Sequence, residues 1–230
     1  MKPNFRTILL RTFCVCLPIF YGLFSFAPKP KKVIFFGDSI TQAGVQPGGY
    51  IRLMEQKLTT TGKNTDFELI GAGIGGNKIY DLYLRAERDV LAQKPDVVVI
   101  YVGVNDVWHK TTHGTGTDLD KFEQFYVALI QKLKNAGIQV ICCTPAVIGE
   151  RTDHSNQQDG DLNAYSNAIR KMAMTEKCPL IDLRAAFLAY NQANNPSNTE
   201  KGILTTDRVH LSQKGNDFVA DAMLKVLISL

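Results

Sequence analysis

The chain has 230 residues, of which 45% are apolar and 21% charged, with a formal charge of +4. That length can bury a full core as one domain, and the composition excludes collagenous, low-complexity and disordered classes. Three of the 26 basic residues, Lys2, Arg6 and Arg11, precede the folded part, and the rest nearly balance the 22 acidic ones, so no basic stripe for nucleic acid is expected.

Those three cations are followed by TFCVCLPIFYGLFSFA (12–27), an apolar segment of 16 residues broken by Pro18. It is short for a spanning helix and suits the apolar part of a signal peptide. Ser25-Phe26-Ala27 offers a small-x-small cleavage site, but Pro28 directly behind it hinders cleavage. Lys29, Lys31 and Lys32 put positive charge on the far side as well. Residues 1–27 therefore read as a signal peptide or, left uncut, an N-terminal membrane anchor. Either implies export to the periplasm, cell envelope or exterior. Phe13 and Val15 ahead of Cys14 and Cys16 do not form a lipoprotein box. PKPKK (28–32) reads as a linker and residues 33–230 as one domain.

Five apolar runs follow: VIFFG (33–37), FELIGA (67–72), VVVIYVG (97–103), IQVICCT (138–144) and PLIDL (179–183). Runs this continuous and rich in Val and Ile fit strands covered on both faces. Between them lie amphipathic segments. The clearest sets Leu119, Phe122, Tyr126, Leu129, Ile130 and Leu133 on one face and stops at Gly137. The last repeats the pattern through Phe218, Val219, Ala222, Met223, Val226 and Leu227, with Ser212 as N-cap. Alternating strands and helices predict one doubly wound α/β domain on a parallel sheet. Cys142 and Cys143 fall late in the fourth run and Cys178 opens the fifth. For neighbouring parallel strands the expected offset is about four residues, roughly 13 Å, too far for a disulfide. They read as small core residues, with no metal-binding pair.

In such a sheet, ligands bind where the loops leave the carboxyl ends of the strands. Those loops carry GDSIT (37–41), GAGIGGN (71–77), GVNDVWH (103–109) and, before the last helix, DRVHLS (207–212). GAGIGG spells the dinucleotide fingerprint G-x-G-x-x-G. Against that reading, the glycines follow the second strand instead of the first, and the next strand ends in Gly103-Val104-Asn105 where an acidic residue is expected. It also leaves Ser39, Asn105 and His210 unexplained. Ester hydrolysis explains them better. Ser39, just past a strand and Gly37, is placed as a nucleophile; His210 can take its proton; Asp207 can reach the same imidazole from within one loop. The rate should then fall in acid as the base takes up a proton. No G-x-S-x-G elbow exists, which argues against the ordinary α/β-hydrolase class.

The four blocks, in order and spread over nearly the whole chain from Val33, resemble the SGNH hydrolases, also called the GDSL esterase family. They are FFGDSIT with Ser39, the glycine block with Gly73, GVND with Asn105, and DRVH with Asp207 and His210. The resemblance implies a three-layer α/β/α domain with a five-stranded parallel sheet of flavodoxin-like type, acting on esters without a cofactor or metal. It implies a triad of Ser39, Asp207 and His210. It also implies an oxyanion hole built from the backbone N–H groups of Ser39 and Gly73 and the side-chain amide of Asn105. One departure is visible: Gly71 stands where the second block often carries Asn, which bears on loop packing more than on chemistry.

Other polar residues read more plainly. Asp106 is expected as a cap or loop acceptor, and Trp108 at the substrate rim, with plain packing as its rival. His109 and His113 invite a metal reading, but KTTHGTGTD looks like loop, so they are expected as solvated histidines that share no helical face. The chain has no long apolar lid insertion, and the loops 105–118 and 149–161 are polar. ERTDHSNQQDGD suits hydroxyl-rich ligands better than hydrocarbon. Short acyl groups, specifically acetyl on carbohydrate, are the expected substrate. The alternatives are a lysophospholipase or thioesterase, whose activity would rise with acyl length, and a glycan-binding module without turnover.

Overall fold

The computed structural model describes residues 29–230, so the readings of the N-terminal apolar segment lie outside the described residues. Among the described helices none is long and apolar enough to cross a membrane. The five apolar runs form five strands: β1 (Lys31–Gly37), β2 (Phe67–Gly73), β3 (Val97–Tyr101), β4 (Gln139–Cys143) and β5 (Leu180–Ile181). All neighbours are parallel, in the order β2-β1-β3-β4-β5. Val33–Phe36 of β1 and Val97–Tyr101 of β3 are buried, as strands covered by helices on both faces must be.

The described residues hold eight α-helices: α1 (Ser39–Gly44), α2 (Tyr50–Thr60), α3 (Ile79–Asp89), α4 (Val104–Thr112), α5 (Leu119–Asn135), α6 (Asp159–Thr175), α7 (Leu183–Asn194) and α8 (Gln213–Leu227), with a short 3-10 turn at Leu91–Gln93.

 α2 packs with α8, and α8 reaches α7 through the edge-to-face rings of Phe187 and Phe218, centroids 5.3 Å apart. α3, α5 and α6 pack together as the other layer. The result is the expected three-layer α/β/α arrangement. The amphipathic readings hold: Phe122, Tyr126, Leu129, Ile130 and Leu133 are buried along α5, and the Ser212 hydroxyl accepts from the Gly215 N–H to cap α8.

Three details differ from expectation. Lys31 and Lys32, read as linker from their charge, already pair with Phe67 and Glu68 at the start of β1. β5 is cut to two residues because Asp182 leaves the strand to cap α7, accepting from the Ala185 N–H. Because of the β4–β5 register, Cys142 faces Leu180, so Cys178 is offset by two residues instead of four. The Cys178 thiol and then burial push the Cys142 thiol up; Cys142, Cys143 and Cys178 are all free.

The strand order sets the site. From β1 the chain moves outward to β2 and then returns across β1 to β3, so the loops after β1 and β3 part at their carboxyl ends. Such a switch point leaves a crevice between them. The loop after β1 carries Ser39, and the one after β3 carries Asn105.

Candidate active site

β1 ends at Gly37, and the Asp38 carboxylate turns the chain by accepting from the Ile40 N–H at 3.0 Å, so that Ser39 opens α1. The Ser39 Oγ lies 3.0 Å from His210 Nε2. On the other side of the ring, His210 Nδ1 lies 2.7 Å from Asp207 Oδ2. Asp207 Oδ1 accepts from the backbone N–H groups of Val209 and His210, at 3.1 and 2.7 Å. A carboxylate at Nδ1 keeps the proton there and leaves the Nε2 lone pair facing the serine hydroxyl. Burial pulls the Asp207 carboxyl up, but the His210 ring and the backbone donors outweigh it and hold it below its ordinary value. The short loop is closed by a Thr205–Leu211 bridge and by Thr206 N–H donating to the His210 carbonyl at 2.8 Å.

Gly73 ends β2 directly opposite Gly37 of β1. A Cβ placed on Gly73 would lie 2.1 Å from Gln42 N and 2.7 Å from Asp38 O, so only glycine permits this approach to α1. The loop beyond is pinned by Gly75 N–H donating to Gln42 Oε1 at 2.8 Å. Asn105 is the second residue of α4, after Gly103, whose φ of +131° lets the chain turn from β3 into the helix. Asn105 is buried and donates from Nδ2 to the Asn77 carbonyl at 3.1 Å, which fixes the amide and leaves its second N–H available. Ser39, Asp207 and His210 are thus in direct contact, Gly73 packs on the α1 backbone, and Asn105 is oriented from the glycine loop. Such an arrangement can move a serine proton to an imidazole and offer N–H donors to a developing oxyanion.

The GDSL-like lipase/acylhydrolase family model matches residues 35–218. The chain belongs to this family. It is a carboxylic ester hydrolase of the SGNH/GDSL type. Among solved structures it is similar to an acetyl xylan esterase, AlAXEase, at 68% identity and a TM-score of 0.84, covering 84% of this chain and 98% of that one. Among curated proteins it is similar to an acetylxylan esterase of Geobacillus stearothermophilus, 30% identical over 85% of this chain and 93% of the relative. It also resembles the uncharacterized lipoprotein YqeF of Bacillus subtilis, 25% identical over 84% of this chain and 88% of the relative.

The glycine loop leads into α3, whose N-terminus is already engaged by a carboxylate and is not free for a dinucleotide. The Ile79 N–H at the start of α3, where a pyrophosphate would sit, donates to Asp106 Oδ1 at 3.2 Å. Asp106 is therefore the acceptor expected of it. Burial pushes its carboxyl up to about 6, and burial likewise pushes Asp38 up to about 7, with Asp106 adding to the rise.

Two residues that hold the site were not singled out in the sequence. Arg85 lies on the buried face of α3 with Ile79, Leu82 and Ala86. Its guanidinium donates to the carbonyls of Gly37 and Ala72, to Asn77 Oδ1 and to Asp89. An arginine on an otherwise apolar stripe was the available signal. Glu150, almost fully buried, accepts from the N–H groups of Ile203, Leu204 and Thr205 at 2.8, 2.6 and 2.9 Å. Asn156 and Gln158 are buried too, so part of the polar 149–161 segment serves the chain itself and gives no support to a hydroxyl-rich ligand.

The histidine expectation needs correcting. α4 runs on to Thr112, and His113 N–H donates to the His109 carbonyl at 3.1 Å, so both residues belong to one helical turn. Their ring centroids are 4.3 Å apart. Among the described residues no group of three or more His, Cys, Asp or Glu is arranged to hold a metal. Trp108 stands edge-on to the His210 ring at 6.2 Å and is partly buried, packed on the core.

Proposed function

We propose that the protein is an exported serine esterase that removes acetyl groups from carbohydrate, with acetylated xylan as the substrate class. In this reading Ser39 Oγ attacks the acetyl carbonyl while His210 Nε2 takes its proton. The oxyanion is held by the N–H groups of Ser39 and Gly73 and by Asn105 Nδ2. Collapse breaks the ester bond, and His210 returns the proton to the leaving sugar oxygen. Water then attacks the acetyl-enzyme through His210, releasing acetate and restoring Ser39. The observation that carries the reading is the continuous relay of 3.0 Å from Ser39 to His210 and 2.7 Å on to Asp207. The activity for which the similar proteins are named, acetylxylan esterase, supports the substrate. Export is supported by the apolar segment 12–27 and by the lipoprotein relative; an uncut segment would tether the enzyme to a membrane.

The test is a 4-nitrophenyl ester series from acetate to palmitate, acetate release from acetylated xylan, and labelling by a fluorophosphonate, each with Ser39→Ala in parallel. Turnover that is lost in the variant, falls with chain length and extends to xylan supports the reading. Rates rising toward palmitate favour the lysophospholipase or thioesterase alternative. No Ser39-dependent turnover or labelling leaves a glycan-binding module.

A further inference from the structure

Asn105, His109 and His113 follow one another at four-residue intervals along α4 and its C-cap. Residues so spaced share one helical face, each step rising about 6 Å. Asn105 is buried at the base, His109 is half-buried one turn on, and His113 is exposed at the top. Trp108 lies beside this ridge, its ring 5.8 Å from His109 and 6.2 Å from His210. On the glycine-loop side, a Cβ on Gly76 would meet His109 Cε1 at 3.8 Å. The rings therefore form a strip that starts against His210, passes the glycine loop and ends in solvent.

The chemistry gives this strip a direction. His210 Nε2 must protonate the leaving oxygen, so the alcohol part of the ester lies on the His210 side of the tetrahedral carbon. The acetyl group is too small to need such a surface. From this we infer that Trp108, His109 and His113 form a leaving-group subsite, holding the sugar that bears the scissile acetate and the next unit of its chain. The inference rests on the proposed roles of Ser39 and His210. A pyranose offers an apolar C–H face and a rim of hydroxyls. The indole supplies a face and an N–H donor, and a neutral imidazole supplies one donor and one acceptor. Burial, with the charge of Lys78 and the neighbouring His113, holds the His109 pKa below its ordinary value, which favours that neutral form.

Trp108 is the only tryptophan in the chain, so indole emission reports on this strip alone. Unacetylated xylo-oligosaccharides titrated into the wild-type protein should shift or quench that emission saturably. In the double variant His109→Ala, His113→Ala, the ratio of kcat/KM for acetylated xylo-oligosaccharides to that for 4-nitrophenyl acetate should fall about tenfold, the scale of one lost hydrogen-bonded contact. An unchanged ratio, whether or not both rates fall, overturns the subsite, and so does wild-type emission that ignores the saccharides. Protein that cleaves 4-nitrophenyl acetate but neither binds nor cleaves the saccharides overturns the substrate reading and the subsite together. A saccharide-dependent emission shift without Ser39-dependent turnover overturns the catalytic reading alone.

Discussion

Arg85 Nη2 donates to the carbonyl oxygen of Gly37 at 2.7 Å, and the same nitrogen reaches Ala72 O at 2.9 Å. One guanidinium thus ties the end of β1, just before Ser39, to the end of β2, just before Gly73. Its Nε holds the side chain of Asn77, whose carbonyl in turn orients Asn105. Arg85 therefore reaches the backbone beside Gly73 directly, the backbone of Ser39 through Gly37 and the Asn105 side chain through Asn77, while it rests on the Phe36 ring at 4.4 Å and pairs with Asp89 at 2.8 Å. Lysine would place a single ammonium where a planar fork now serves four acceptors. Arg85→Lys should lower kcat for 4-nitrophenyl acetate by about ten- to a hundredfold with little change in KM, and lower Tm. Steady-state kinetics beside thermal unfolding checks this; a lower Tm with unchanged kcat would limit Arg85 to holding the fold.

Gly73 offers a second test of the same junction. A methyl group there meets Gln42 N at 2.1 Å, Thr41 C at 2.5 Å and Asp38 O at 2.7 Å, all of them backbone atoms that no rotamer can move. α1 would have to shift, carrying Ser39 with it. Gly73→Ala should cost at least about a hundredfold in kcat/KM, the scale of misplacing a reacting group by an ångström. Gly75→Ala is the control: its Cβ meets the end of the Gln42 side chain at 3.0 Å, which can swing aside. Similar losses in the two variants would contradict this account.

How much of this was legible beforehand depended on whether chemistry or packing chose the residue. Ser39, Gly73 and Asn105 stand out because they mark the ends of successive strands, and Asp207 and His210 because they share one loop just before the last helix. The five strands were legible from their apolar runs, except where a polar residue took over, as Asp182 does in ending β5. His109 and His113 were misread because Thr111 and Thr112 are weak helix formers, and α4 is carried through them by its continuation from the buried Val104 and Val107. Arg85 and Glu150 were missed for another reason. Their partners are backbone groups far away in sequence, and a backbone acceptor or donor leaves no mark on residue type.

Asp38 makes stability depend on pH. Burial, reinforced by Asp106, raises its carboxyl from the ordinary 3.8 to about 7. The folded protein then keeps a proton that the unfolded chain releases near pH 4. This contribution is fully present in acid and is lost as pH rises through about 7, to a limit of roughly 4 kcal/mol. Asp106, raised to about 6, acts in the same direction. Asp38→Asn keeps an oxygen for the Ile40 N–H and removes the ionisation. Relative to wild type, the variant should gain stability as pH rises from about 4 to about 7 and level off above that, measured by urea unfolding. Parallel curves for the two proteins would show that Asp38 ionises in both states alike.

Glu150 tests the loop that carries Asp207 and His210. Its Oε1 accepts from Leu204 and Thr205, and its Oε2 accepts from Ile203, so three consecutive N–H groups close on one buried carboxylate. The same residue is held from behind, its N–H donating to the Glu200 carbonyl and its own carbonyl accepting from Asn195 Nδ2. Next to it, Gly149 N–H donates to the carbonyl of Arg208, which sits between Asp207 and Val209 with φ of +90°. Charge-assisted bonds of this kind are stronger than neutral ones, and a buried N–H left without a partner costs about 1–3 kcal/mol. In Glu150→Gln one amide oxygen can still serve Leu204 and Thr205, but an NH2 group then faces the Ile203 donor. The expected loss is about 1–3 kcal/mol with a modest fall in kcat. Glu150→Ala strands all three donors and should lose more stability and far more activity, because the turn presenting His210 to Ser39 loses its anchor. Urea unfolding and 4-nitrophenyl acetate turnover on the two variants settle it: if activity stays at the wild-type level while stability falls in that order, the 207–210 turn is held by its own hydrogen bonds and Glu150 only stabilises the fold.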